Sequence, residues 1–274
     1  MMNVVLCGND HVYPGIELVV YSLLTHNKNV NIYIFTMNLF LHYKDGTETK
    51  FAGLTPWQVG KLRKIVRYLD KNSNICFIDV ADEYMKYLSG SINEESGFTP
   101  YASLRLIADI VLPDVDHILY LDCDTAIQSN IEDMYMDCLK GDKDCYASYA
   151  YGACQGYGEM VSGVMVMKLK ALREKKLLEK ARQLYKKYLY KYPDQMALRD
   201  SIPYIGRLPE TYGYIHELES CGYTPAILHF TNDLVPKIYS RDYSDTRVYF
   251  YKRFPFLKYV KEGCELLDKI NFTL

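Results

Sequence analysis

The stretch Ile118-Leu119-Tyr120-Leu121-Asp122-Cys123-Asp124-Thr125 constrains the chain most. Four apolar residues without polar alternation read as a strand buried on both faces, the signature of a parallel or mixed α/β sheet. Ligands of open α/β sheets bind beyond the carboxyl ends of the strands, where Asp122 and Asp124 stand. In extended chain, residues two apart point to the same side, so both carboxylates can face one point. Two close anions repel, and a divalent cation with oxygen ligands relieves the repulsion. The same residues also suit a strand running into an acidic turn, with Asp124 capping the next helix.

The surrounding chain supports the α/β reading. Val4 to Cys7 is a short apolar strand ending in the loop Gly8-Asn9-Asp10-His11. Ile16 to Leu24 has helical spacing, and Val30 to Thr36 is a second strand, which makes a βαβ unit. Phe40 to Gly53 reads as an irregular surface insertion. Thr55-Pro56 opens a helix with an N-cap threonine and a first-turn proline. Asn74 to Asp79 is a third strand, and Ser89 to Gly97 a mobile loop. Tyr101 to Val111 is predicted as one helix, and Ala171 to Tyr190 as the longest amphipathic helix. Val161 to Leu169 is an apolar strand, Pro193-Asp194-Gln195 opens a short helix, and Ile227 to Phe230 is a last strand. Tyr249 to Leu267 is a terminal helix or helix pair.

At 274 residues, the chain holds one large α/β domain or two small ones. A net charge of −2 offers no basic field for nucleic acid. The 27 tyrosines suit carbohydrate-facing surfaces, but they also fill cores. None of the 8 cysteines forms a Cys-x-x-Cys pair, so zinc knuckles and thioredoxin-like chemistry are not expected. They read as reduced thiols, which predicts a cytoplasmic protein. The amino terminus lacks a basic region and a long apolar run, so no signal peptide is expected. No apolar run reaches the about 18 residues that a membrane span needs.

Five pieces share one geometry: the first strand end (Cys7 to His11), Arg105, the Asp122/Asp124 pair, Asp194-Gln195 and His229. Together with the block Leu112 to Asp124, they resemble the family-8 retaining glycosyltransferases, from Val4 to about Lys237. The resemblance implies a GT-A nucleotide-sugar transferase fold, with a Rossmann-like mixed central sheet flanked by helices. It places the catalytic domain at residues 1–240 and a helical extension at 241–274. It implies a UDP-sugar donor and transfer of glucose or galactose to a glycan, glycolipid or glycoprotein. It assigns Asp122, Asp124 and His229 to one divalent cation, Mn²⁺ or Mg²⁺; carboxylates with one imidazole favour Mn²⁺ over Ca²⁺. It places Arg105 near the phosphates and donor sugar, Asp194 on donor hydroxyls, and Gln195 facing the anomeric carbon. It places Cys7, Asn9, Asp10 and Tyr13 around the nucleoside, with Tyr13 stacked on the base. Cys123, Ser162 and Lys237 complete the donor contacts.

The sequence departs from the family pattern in three places. The asparagine of its Asn-small-Gly strand motif is Val161 here, in Val161-Ser162-Gly163. The lysine after the metal histidine comes two residues late, as Lys237. The acidic residue of the first loop is Asn9 or Asp10. A haloacid-dehalogenase-like phosphatase is the rival reading, with Asp122 as nucleophile and Gly141-Asp142-Lys143-Asp144 as its later acidic motif. That nucleophile belongs on the first strand, yet three strand candidates precede Asp122. A catalytically inactive nucleotide-sugar-binding protein is the other rival; intact Asp122, Asp124, Gln195 and His229 argue against it. Lys237 to Lys261 interleaves basic and aromatic residues. This suits peripheral contact with the inner face of an anionic membrane, or a helix docked by its aromatics.

Overall fold

The computed structural model describes residues 1–42, 46, 48–152, 155–215, 224–230, 262, 263 and 265. The chain opens with strand β1 (Met2–Cys7), helix α1 (Tyr13–His26) and strand β2 (Val30–Thr36), the expected βαβ unit. A short hairpin, β3 (Leu39–His42) and β4 (Glu48–Phe51), follows. Within the expected irregular insertion, the described residues therefore include paired strands. Leu39 and Leu41 turn into the core while Phe40 and His42 face out, the period-2 alternation of a half-buried strand. Helix α2 (Pro56–Leu69) begins with a full capping box. Thr55 Oγ1 accepts from the Gln58 amide at 3.3 Å, and Gln58 Oε1 accepts from the Thr55 amide at 2.8 Å. Strand β5 (Asn74–Asp79) and helix α3 (Ala81–Tyr87) come next.

Residues 89–97, expected to form a mobile loop, contain a 3₁₀ turn at Ile92–Glu95. It is pinned by buried Asn93, whose amide donates to the Tyr185 carbonyl and, at 2.7 Å, to the Tyr188 carbonyl. Its Oδ1 accepts from the Tyr190 amide at 2.9 Å.

The helix expected over Tyr101 to Val111 is broken into α4 (Pro100–Ser103), a 3₁₀ turn (Leu104–Ile107) and α5 (Ala108–Val111). Leu104 through Ala108 are all buried, Arg105 included, so the segment has no solvent face and no amphipathic period. Strands β6 (Ile118–Leu121) and β7 (Thr125–Ile127) flank the acidic pair, and helix α6 (Glu132–Lys140) follows. Strands β8 (Cys145–Gly152) and β9 (Gln155–Met167) form a long antiparallel pair.

The long helix expected from Ala171 to Tyr190 is two helices, α7 (Leu169–Glu174) and α8 (Leu177–Lys187), with Lys176 left-handed at φ 53° between them. Leu172 and Leu178 are both fully buried across this break, so packing overrides the continuous helical pattern. Helix α9 (Pro193–Ser201), then β10 (Ile205–Arg207), β11 (Tyr212–Ile215) and β12 (Ile227–His229) complete the described elements. Residues 262, 263 and 265 are helical. Lys237 and nearly all of 241–274, including the basic-aromatic stretch, lie outside the described residues.

The central sheet has seven strands in the order β10-β8-β9-β6-β1-β2-β5. Strands β6, β1, β2 and β5 are parallel, β9 runs antiparallel to β6, and β8 antiparallel to β9. Helices α1, α2 and α6 cover one face, where Leu6, Ile16, Leu62 and Leu119 pack. Helices α3, α7, α8 and α9 cover the other, where Val5, Tyr84, Leu178 and Leu198 pack. A second sheet, β11-β12-β7, joins β12 antiparallel to β7 with His229 opposite Thr125. That register brings the carboxyl end of β12 to the turn after β6.

Candidate active site

The end of β6 holds the centre of the site. The Asp122 amide donates to the Gly163 carbonyl on β9 at 2.8 Å, which continues the ladder one residue past the strand. The Phe230 amide donates to the Asp124 carbonyl at 2.8 Å, locking the end of β12 onto the acidic turn. One ligand atom each from Asp122, Asp124 and His229 fall within 4.8 Å of one another. His229 Nε2 is 3.2 Å from Asp124 Oδ1 and 3.6 Å from Asp122 Oδ2.

These three side chains fit a divalent cation. Asp124 Oδ1 and His229 Nδ1 are buried without a hydrogen-bond partner among the described residues, despite the short approach of His229 to Asp124. Buried polar atoms are ordinarily satisfied, and a cation among these side chains would supply the partner that Asp124 Oδ1 lacks. Carboxylate oxygens with one imidazole form a mixed set suited to Mn²⁺. Burial alone would push the His229 pKa down, but Asp124, with Asp122 behind it, carries it above the ordinary imidazole value. Burial would raise Asp124, and His229 overrides it, so that carboxyl sits below its usual range.

Gly163 makes room for the imidazole. A Cβ there would lie 2.6 Å from His229 Nε2 and 2.7 Å from Nδ1, so the ring lies directly on the glycine.

Arg105 joins this cluster to α9. The residue is only 3% exposed. Nη2 donates to Asp122 Oδ1 at 2.7 Å, Nη1 to the Ser162 carbonyl at 2.6 Å, and Nε lies 3.0 Å from Asp194 Oδ2. The guanidinium stacks on the Tyr120 ring at 4.2 Å. Arg105 is thus a buried bridge between two carboxylates. Removing one member of such a network leaves a charge unpaired, at a cost of about 3–5 kcal/mol.

Tyr120 adds a second donor to Asp122 Oδ1, its hydroxyl at 2.7 Å. Burial pushes this phenol well above its ordinary pKa, so it stays a proton donor at neutral pH.

Asp194 and Gln195 occupy the first turn of α9, with Pro193 ahead of them. Gln195 Oε1 accepts from the Ser162 amide at 3.1 Å, which leaves its NH₂ group as the end available to a ligand. Ser162 Oγ lies 3.5 Å from both Asp194 Oδ2 and Gln195 Oε1. Burial pushes the Asp194 carboxyl above its usual range, although Arg105 opposes the shift.

The first loop packs beside the acidic turn. Cys123 Sγ donates to the Cys7 carbonyl at 3.2 Å, so this thiol points under the loop and away from the ligand cluster. Burial raises both the Cys7 and Cys123 thiols, which keeps them protonated. Asn9 is buried, and its Oδ1 accepts from the Val12 amide at 3.3 Å, which commits it to the start of α1. Asp10 Oδ1 is buried without a hydrogen-bond partner among the described residues. Tyr13, expected as a stacking platform, is 6% exposed; its hydroxyl donates to Glu17 at 3.0 Å and its ring leans on Trp57, 5.9 Å between centroids. Trp57 is 64% exposed beside this loop and was not singled out from the sequence.

Asp122, Asp124, His229, Arg105, Asp194, Gln195 and Ser162 thus converge, with Cys7 and Cys123 behind them. Tyr120 and Gly163 were missed. Tyr120 stands two residues before Asp122 in a strand, a spacing that puts both on one side. Gly163 showed in the sequence only as the glycine of the family motif; its partner, the ring of His229, lies 66 residues further on. The second acidic motif of the phosphatase reading lies elsewhere: Asp142 pairs with Lys143 and Asp144 with Lys175, away from Asp122.

The sheet order and this site define a GT-A glycosyltransferase. A family model described as Glycosyl transferase family 8 matches residues 3–201, and the chain belongs to that family. This removes the phosphatase reading. No curated protein sequence matches significantly. Among solved structures, the chain resembles the galactosyltransferase LgtC in complex with donor and acceptor sugar analogues. That match has 16% identity and a TM-score of 0.64, over 100% of this chain and 98% of the other. It also resembles the glycosyltransferase GlyE of Streptococcus pneumoniae TIGR4, at 17% identity and a TM-score of 0.58, over 91% of this chain and 60% of that one. Mouse xyloside xylosyltransferase 1 matches at 14% identity and a TM-score of 0.57, over 84% of this chain and 97% of that one. No helix among the described residues is long and apolar enough to cross a membrane.

Proposed function

We propose that residues 1–240 form a metal-dependent retaining hexosyltransferase that moves glucose or galactose from a UDP-sugar to a carbohydrate acceptor, free or on a lipid or protein. The observation that carries this reading is the adjacency of two half-sites. One is the Asp122/Asp124/His229 cluster, and the other is Asp194/Gln195, joined to it through Arg105.

A divalent cation, Mn²⁺ or Mg²⁺, held by Asp122, Asp124 and His229 would neutralise the diphosphate as the anomeric bond breaks. Asp194 stands on the sugar side to hold donor hydroxyls and face developing positive charge. Gln195 directs its NH₂ group to the same region, with its oxygen tied to Ser162. Asp10 is the better of the two loop candidates for the uracil edge, because its Oδ1 is unsatisfied whereas Asn9 is committed to α1. Retention comes from the family resemblance, and the absence of a strong base in the described site agrees with it.

The test is a panel of nucleotides and nucleotide sugars titrated with Mn²⁺ present. UDP should bind tighter than GDP or ADP, and Asp122→Asn should abolish metal-dependent binding without unfolding the protein. Equal binding of all three nucleotides would remove the uridine assignment. Proton NMR of the product should show an α linkage, and a β linkage would remove retention.

A further inference from the structure

We infer that Tyr120 is a positioning residue for Asp122: its hydroxyl, together with Arg105, fixes Asp122 Oδ1 so that Oδ2 stays turned toward Asp124 and His229. The inference rests on the cation reading proposed above, and deepens it.

Tyr120 lies within the four-residue strand β6, between Leu119 and Leu121, and is 1% exposed. Its backbone faces Val5 of β1 on one side and Met165 of β9 on the other. Any large apolar side chain would fill such a position. A buried hydroxyl is costly there unless it is bonded. The bond it makes is to Asp122 Oδ1, at 2.7 Å.

Arg105 Nη2 reaches the same oxygen at 2.7 Å while its guanidinium lies on the Tyr120 ring. One aromatic side chain therefore does two things: its face supports the arginine and its tip holds the carboxylate.

A carboxylate on a single χ2 torsion is otherwise free to rotate in a broad, twofold well. Two donors converging on one oxygen remove that freedom. The other oxygen, Oδ2, is the one 3.6 Å from His229 Nε2. Groups bonded behind a ligand in this way set its orientation, and their loss typically costs 10–100-fold in metal affinity.

Tyr120→Phe isolates the hydroxyl, because the ring under Arg105 stays. Free Mn²⁺, followed by its electron paramagnetic resonance signal, reports affinity without any turnover. The expected result is an affinity about 10–100-fold weaker than wild type, with the metal-free protein still melting cooperatively. Tyr135→Phe is the control. It removes another buried tyrosine hydroxyl, one that donates to the His117 carbonyl at 3.2 Å, and should leave Mn²⁺ affinity unchanged. A Tyr120→Phe titration that superimposes on wild type would overturn the inference, as would an equal loss of affinity in Tyr135→Phe. Wild-type protein that binds no Mn²⁺ would overturn the cation reading itself, and this inference with it.

Discussion

Gly163→Ala tests the packing of the site most directly. The His229 ring lies on Gly163, and an added Cβ would meet Nε2 at 2.6 Å and Nδ1 at 2.7 Å, where ordinary contact begins at 3.4 Å. Backbone cannot yield easily, because the Gly163 carbonyl accepts from the Asp122 amide. The imidazole must therefore retreat, by most of an ångström. Metal–ligand distances tolerate only about 0.2 Å, so the retreat removes the third ligand. Overpacking of this kind costs about 1–3 kcal/mol. For a chain of this size each kcal/mol lowers the melting temperature by about 2–4 °C. Mn²⁺ affinity should fall by at least the about 10–100-fold expected when a ligand loses its support. Calorimetric melting of the metal-free protein and Mn²⁺ titration measure the two effects separately. In a His229→Ala background there is no ring to displace, so Gly163→Ala should then cost little stability. Gly163→Ala protein that binds Mn²⁺ as tightly as wild type would refute the steric argument.

The site also predicts a pH dependence. His229 is held above its ordinary pKa by the two aspartates, so the metal-free site keeps a proton that an ion must displace. Apparent Mn²⁺ affinity should rise with pH through that raised value, and a flat profile between pH 6 and 8 (about one unit either side of neutrality) would contradict it. The sign for metal-free stability is opposite. The His229 contribution is complete below the ordinary imidazole value and is lost as pH rises through the raised one. Asp124, held low, contributes above the ordinary carboxylate value and loses that contribution as pH falls through its lowered one. Melting temperatures measured against pH without metal should fall on both sides. If Gln195 acts on the sugar as proposed, Gln195→Ala should cut sugar transfer heavily while sparing binding of UDP and Mn²⁺; lost nucleotide binding would refute that role.

What the sequence disclosed depended on how local each signal was. The βαβ opening and buried β6 follow from short-range periodicity, and the structure has both. The acidic pair could be placed at a strand end because strand geometry alone fixes where residues two apart point. Signals that pack over distance were read wrongly. Ala171 to Tyr190 carries one helical pattern, yet left-handed Lys176 divides it, since α7 and α8 follow different neighbours. Residues 89–97 have the composition of a free loop, yet one buried asparagine ties them to the segment before α9. Arg105 was found as a residue of interest for its chemistry, but its burial between two carboxylates needed three dimensions.

The short strand β12 carries a consequence for how the molecule holds together. It is three residues long, and it delivers His229 by pairing with β7, immediately after Asp124. An ion gripped there would act as a clasp between the middle of the chain and its last described strand. A ligand at 100 times its dissociation constant adds about 2.7 kcal/mol to the state that binds it. Here that gain applies to every opening that parts β12 from β7. Amide exchange at Ile227, Leu228 and His229 should slow as Mn²⁺ is added, and so should any amide that exchanges only through global unfolding. Occupancy of the ion site and closure of the seam between β7 and β12 are therefore two readings of one equilibrium.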